Sequence, residues 1–204
     1  SCATYGIPFQ FPIKEDCPQI PISPYGRSKL IVEWLLLDYH LKYQQPYTIL
    51  RYFNVAGCHP EGTLGEQHNP EHHLIPRMIT AAINKEPIHI NGKCYDTPDG
   101  TCIRDFVHVW DIAMAHALAA EDSRSQSNVF NLGSGHGISI LEILQNLEDL
   151  LGYHLLVEWD PPRKGDPPKL FADSNKALKN LKWCPSHSSI EQILLTTLKW
   201  FNNR

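Results

Sequence analysis

The sequence has no Lys/Arg cluster, no Cys-x-x-Cys pair, no internal repeat and no apolar stretch long enough to cross a bilayer. Each absence removes a class of protein. A net charge of −4 without a basic patch disfavours a nucleic-acid surface. The longest apolar segment, Leu30 to Leu37, is interrupted by Glu33, so neither a membrane span nor a membrane partner is expected. The six cysteines (2, 17, 58, 94, 102 and 184) are scattered, which favours reduced thiols in a cytoplasmic protein over a disulfide framework. The first residues carry no charged leader and apolar run, so no signal peptide is expected. No G-x-G-x-x-G or G-x-x-G-x-x-G follows a strand near Ser1. The turn on which a doubly wound sheet rests a dinucleotide diphosphate is therefore missing from its usual place.

What remains is an ordinary globular composition, 42% apolar and 20% charged over 204 residues, enough for one or two domains with a real core. Ser23-Pro24 is a cap and first-turn pair for a helix to about Tyr43, with Leu30, Val32, Trp34, Leu35, Leu37 and Leu41 forming a wide face suited to a sheet. Tyr47 to Phe53 reads as a buried strand ending at Asn54, followed by a long polar loop from Ala56 to Glu71. Helices are expected over 74–85 and 109–120, with strands at 88–90, 129–132 and 155–159. Ser139 with Glu142 makes a capping box, and Ser188 with Glu191 is read as the cap of a C-terminal helix. Helices alternating with short strands define an α/β protein. Gly133-Ser134-Gly135-His136-Gly137 follows a strand and precedes a helix, but lacks the late glycine of a phosphate cradle and reads as a structural turn.

Tyr25 and Lys29, four apart at a helix start, share one face. A phenol with pKa near 10 is a poor base at neutral pH unless a cation favours its phenolate, which Lys29 supplies. Ser1, 24 positions before Tyr25, can share a substrate proton with it. His59, His68, His72, His73, Glu66 and Glu71 invite a metal reading. His68 and His72 have helical ligand spacing, but Asn69-Pro70 between them argues against a helix, and no metal is expected. Taken alone, Arg104 and Arg163 are surface charges.

With Ser1, Ser23-Pro24-Tyr25-Gly26-Arg27-Ser28-Lys29, Leu50-Arg51-Tyr52-Phe53-Asn54 and Thr101-Cys102-Ile103-Arg104-Asp105-Phe106-Val107-His108 together, the chain resembles the extended short-chain dehydrogenase/reductase family, and within it the branch of UDP-hexose 4-epimerases. The likeness runs along essentially the whole chain. It implies NAD as cofactor, with Tyr25 as acid/base, Lys29 on the cofactor ribose, Ser1 on the substrate hydroxyl and Tyr52 near the nicotinamide. It implies that Asn54, His73, Leu74, Arg104, Arg163 and Asp166 hold a UDP-sugar. In this reading Arg104 and Arg163 clamp the diphosphate, Asp166 accepts from ribose hydroxyls, and Leu170 lines the space beside the sugar's 2-substituent. Asp105, His108 and Asp111 read as structural partners.

The implied fold is an incomplete Rossmann-like doubly wound sheet plus a smaller C-terminal α/β region. Residues 1–55 would be the later part of the Rossmann-like domain. Residues 56–204 would mainly bind UDP-sugar, with some segments returning to the sheet. The implied reaction interconverts UDP-glucose and UDP-galactose, in a homodimer when the chain is full length. Dehydratases of the family carry Asp-Glu after a threonine at the serine site; Cys2-Ala3 here argues against dehydration. A pentose or N-acetylhexosamine 4-epimerase stays open, as does a noncatalytic UDP-sugar-binding remnant.

Overall fold

The computed structural model describes residues 1–122, 126–163 and 165–203. A short 3-10 turn at Cys2–Thr4 precedes α1 (Pro24–Tyr43), β1 (Thr48–Tyr52), β2 (Asn54–Ala56), α2 (Leu74–Asn84) and β3 (Ile88–Asn91). Then come β4 (Ile103–Arg104), β5 (Phe106–His108), α3 (Val109–Asp122), β6 (Asn128–Leu132), β7 (Ile138–Ser139) and α4 (Ile140–Leu151). β8 (Val157–Asp160), β9 (Lys169–Leu170), α5 (Asn175–Asn180) and α6 (Ile190–Asn202) complete the chain.

Four strand pairs are parallel: β1 with β6, β2 with β5, β3 with β8 and β4 with β9. Only β4 with β7 is antiparallel among the described residues. Long connections carrying helices join the parallel partners, which is the α/β architecture the sequence implies. Segment 48–56 runs between two neighbours. The Phe53 N–H donates to Leu132 O at 3.0 Å and the next one, of Asn54, to Asp105 O at 2.9 Å. Successive N–H groups of a strand point to opposite edges, so one strand is bordered by residues 128–132 on one side and 105–108 on the other.

α1 begins as the sequence dictates. Ser23 Oγ accepts the Gly26 N–H at 3.0 Å, Pro24 occupies the first turn, and Gln44 ends the helix in the left-handed region at φ 56°. The wide apolar face read from its sequence is present and uncovered. Only Gly26, Leu30 and Glu33 are buried, while Val32, Trp34, Leu35, Leu37 and Leu41 are exposed together with Ile31, Tyr39 and Tyr43. The inward stripe carries a polar anchor at Glu33. Arg51 of β1 donates to both Glu33 oxygens at 3.0 and 2.8 Å, and its remaining nitrogen to Tyr5 Oη at 2.7 Å and Glu15 O at 3.0 Å.

α4 has the expected capping box, with Ser139 and Glu142 satisfying each other's backbone and Gly152 closing the helix at φ 76°. α6 corrects the sequence reading by one residue: its cap is Ser189, which accepts from the Gln192 N–H, not Ser188. The Ser188 hydroxyl is already committed, donating to Asp111 Oδ2 at 2.6 Å and accepting the His108 N–H at 2.8 Å. α2, α4 and α6 supply Ile75, Met78, Ile79, Ile143, Leu147, Ile193 and Leu194 to the largest core. A second core forms around Val107, Phe130, Leu132 and Trp183, and a third around Tyr5, Ile13, Phe53, Leu170 and Ala172. No described helix is long and apolar enough to cross a membrane, and all six cysteines are free thiols.

Candidate active site

Gly26 decides where the first turn of α1 lies. A Cβ there would clash with the carbonyl oxygen of Ala3, so only glycine lets the helix seat against the turn that begins at Ser1. Glycine inside a helix costs about 1 kcal/mol relative to alanine. That cost is the sequence signal for this close approach. The result is that Ser1 and Tyr25 line one cavity of about 510 Å3. Lys29, one turn on, is exposed and its Nζ stands 5.2 Å from the centre of the Tyr25 ring.

The same cavity is lined by Tyr52, Asn54, His73, Leu74, Arg104, Arg163 and Asp166, so most of the sequence-predicted residues meet there. Asn54 arrives because β2 continues the strand past Phe53. His73 caps α2 without a side-chain hydrogen bond, and Leu74, Ile75 and Pro76 of its first turn face the cavity. The first-turn N–H groups of a helix lack intrahelical partners and carry the positive end of its dipole, which suits an anion. Arg104 is buried, donating to Asp166 Oδ1 at 2.6 Å and to Ile103 O at 2.8 Å. Arg163 is exposed, and its Nε donates to Asn91 Oδ1 at 2.9 Å. Lys164 lies outside the described residues.

Leu170 is a correction. It is 7% exposed and packs in the core with Tyr5, Ile13 and Phe53; it is not part of the cavity wall. β9 pairs with β4 so that Leu170 stands opposite Arg104, and its side chain closes the small core beneath that strand pair. Tyr52 is only partly engaged with the cavity. Its hydroxyl lies 2.6 Å from His116 Nε2, while His116 Nδ1 lies 2.8 Å from Ile112 O. The carbonyl can only accept, so Nδ1 carries the proton and Nε2 accepts from the phenol. Burial raises the Tyr52 pKa, and this hydroxyl stays protonated.

Sequence reasoning missed Arg77 and Asn91, both on the cavity wall. Arg77 had a readable signal, since it follows His73 by four positions across the start of α2. Cys2 and Cys102 also line the cavity. Burial pushes the Cys2 thiol up to about 12 and raises that of Cys102, so neither is a ready nucleophile.

Asp105, His108 and Asp111 are structural. The buried Asp105 carboxylate accepts from Ser134 N, Ser134 Oγ, Gly135 N and Ala172 N at 2.6, 2.6, 3.1 and 3.0 Å. Burial still raises its pKa, against those hydrogen bonds. His108 Nδ1 accepts the Trp110 N–H at 3.0 Å and Nε2 donates to Thr196 Oγ1 at 3.0 Å. Burial brings its pKa down to about 4, which keeps it neutral.

A loop, not a helix, gathers the histidines. Glu66, His68, Glu71 and His73 present ligand-type atoms all within 4.8 Å of one another, while His72 faces the cavity without joining them. His68 Nδ1 is 2.8 Å from Glu66 Oε1 and 3.5 Å from Glu71 Oε1, and His73 Nδ1 pairs with Glu66 Oε1.

The start of α2 and the start of the Tyr25 helix thus meet at one cavity of an α/β fold. Residues 1–133 match the model of the NAD dependent epimerase/dehydratase family, and the chain belongs to that family. It is 44% identical over 206 residues to a UDP-glucose 4-epimerase of Lacticaseibacillus casei, covering 100% of this chain and 62% of the relative. It superposes with a TM-score of 0.91 on the UDP-glucose 4-epimerase of Brucella ovis in complex with NAD, at 46% identity over 98% of this chain and 62% of that one. The Bifidobacterium longum UDP-glucose 4-epimerase in complex with NAD+ and UDP gives a TM-score of 0.95 at 35% identity, covering 100% and 62%. The chain thus spans about three fifths of the length of these relatives.

The residues present fit one end of a nicotinamide dinucleotide. Tyr25 offers its phenol at the cavity, and the Lys29 ammonium stands 5.2 Å from the centre of that ring, outside the lining itself. The diphosphate end finds no cradle at Gly133–Gly137, whose Ser134 and Gly135 N–H groups are taken by Asp105.

Proposed function

We propose that the protein is a large part of an NAD-dependent 4-epimerase that interconverts UDP-glucose and UDP-galactose. The observation that carries this is one cavity lined both by Ser1 and Tyr25 and by Arg104, Arg163 and the start of α2. The first pair can move a hydroxyl proton; the second set can hold a diphosphate. NAD, when bound, supplies the acceptor and then the donor of the C4 hydride. Tyr25 takes the proton of the 4-hydroxyl, with Lys29 favouring its phenolate and Ser1 hydrogen-bonding the same oxygen. The 4-keto sugar turns over while its UDP end stays on the arginines. Tyr25 then returns the proton to the oxygen on the opposite configuration.

Residues 1–55 would belong to the cofactor-binding domain and 56–204 mainly to the UDP-sugar region. Segments 105–108 and 128–132 would return to the sheet, a division supported by their pairing on either side of residues 48–56.

The clamp is tested by Arg104→Ala and Arg163→Ala in a chain completed to its relatives' length. Each is expected to weaken UDP by about 1.5–3 kcal/mol, the scale of a hydrogen bond to a charged group. Isothermal titration reads it. Unchanged affinity in both variants would put the diphosphate elsewhere.

A polypeptide of just these 204 residues is expected to retain no NAD and to show no epimerase turnover, because its glycine-rich turn after a strand, Gly133–Gly137, has the Ser134 and Gly135 N–H groups already taken by Asp105. The exposed apolar side of α1 is expected to make it self-associate. Assay with added NAD, and sedimentation, check both. Turnover at the level of an intact epimerase would overturn the cofactor assignment. Turnover that appears only when a separate N-terminal half is supplied supports it. A completed chain that binds UDP yet never turns over would favour a noncatalytic binding protein.

A further inference from the structure

We propose that Glu66, His68, Glu71 and His73 form a binding site for a divalent transition-metal ion, with Zn2+ the best match. The four ligand-type atoms, two imidazole Nδ1 and two carboxylate oxygens, all lie within 4.8 Å of one another. Tetrahedral zinc with bonds of about 2.0–2.1 Å needs ligand atoms roughly 3.3 Å apart. The pairs of His68 with Glu66 and Glu71 stand at 2.8 and 3.5 Å. Around an ion the close pairs of Glu66 with His68 and His73 open and the widest separations contract toward that spacing.

The donor chemistry selects the ion. Two neutral imidazoles and two carboxylates give a charge of −2, which a divalent cation cancels. Two nitrogens among four donors suit zinc and its transition-metal neighbours, whereas calcium and magnesium take six or more oxygens. The Glu71 carboxylate and the Glu66 backbone are both held by groups that are not ligands. Glu71 Oε1 accepts the His72 and His73 N–H groups, each at 2.8 Å. Glu66 is fixed through its backbone, whose carbonyl accepts Trp200 Nε1–H of α6 at 3.2 Å, and neighbouring Gly65 lies so flat on that indole that a Cβ would overlap it. Supports of this kind orient ligands before a metal arrives. The His73 ring makes no cap hydrogen bond at the start of α2 and turns instead to Glu66, inside the cluster. His68 is exposed and gives an ion a way in.

The site is distinct from the proposed catalysis but touches it, because Glu66 and His73 also line the cavity. Ion binding itself does not depend on the functional reading above. A bound ion would fasten segment 66–73 at the cavity wall and withdraw His73 from any ligand inside.

The test is Zn2+ competition against a chromogenic chelator with the full chain. One ion per chain is expected. His68→Ala and His73→Ala should each weaken binding at least tenfold, and Glu66→Gln likewise, with circular dichroism unchanged. His136→Ala, an exposed histidine outside the cluster, should leave it unaltered, and excess Mg2+ should not compete. Co2+ in place of Zn2+ should give the intense visible absorption of tetrahedral coordination. Affinity unchanged in the His68→Ala/His73→Ala double variant, or equal loss in His136→Ala, would overturn the site. A weak octahedral Co2+ spectrum would do the same.

Discussion

Replacing Tyr25 by phenylalanine in a completed enzyme is expected to lower turnover at least ~100-fold while leaving UDP affinity nearly intact, since it removes proton transfer and nothing else. The ring stays, so the face against which Lys29 stands at 5.2 Å stays too. Arg104 and Arg163 are on different segments, tied to Asp166 and Asn91, and do not depend on the phenol. Steady-state turnover with UDP-galactose, paired with calorimetric UDP binding, separates the two effects. Near-normal turnover in the variant would remove Tyr25 from the reaction. A parallel collapse of UDP affinity would show that the substitution damages the fold instead of the chemistry.

The second large effect is on stability. Glu33→Ala should cost about 3–5 kcal/mol, the usual penalty for leaving a buried charge without its partner. The Arg51 and Glu33 side chains are only 6% and 10% exposed, so water cannot replace the lost carboxylate. Arg51 would keep Tyr5 and the Glu15 carbonyl, both neutral acceptors. Urea unfolding reads the change. The double variant Glu33→Leu/Arg51→Met should recover most of it, because an apolar pair avoids the desolvation that the ion pair must offset. A loss under ~1 kcal/mol, or a double variant no better than the single one, would mean the pair is solvated in practice. The effect reaches the cavity, since this pair ties the helix bearing Tyr25 to the strand that leads into Asn54.

Local signals in the sequence located elements well. Ser23-Pro24 and the Ser139–Glu142 pair act at a range of three residues, and the structure keeps both caps. Readings that depend on tertiary partners were less legible. Ser188 has the right spacing for a cap, yet Asp111, 77 positions away in sequence, claims its hydroxyl. The apolar residues of α1 suggest a packed face, but which of them are covered depends on what lies opposite, and that is not written in the helix. Leu170 is buried among Tyr5, Ile13 and Phe53, contacts between distant segments that sequence spacing does not give. The histidine loop shows the same limit from the other side. Proline at position 70 correctly argued against helical ligand spacing, but an irregular chain can bring side chains together with no periodic signature at all.

The Asp105 carboxylate gives any charged ligand a heading. By taking the Ser134 and Gly135 N–H groups of the Gly133–Gly137 turn, it sets an anion from within the chain where a phosphate would otherwise sit. Positive groups with room for a diphosphate then gather on the side of Arg104, Arg163 and the first turn of α2. In the proposed reading a molecule with phosphates at one end and a sugar at the other meets a molecular compass, since a reversed pose that reached the Gly133–Gly137 turn would meet the Asp105 carboxylate there.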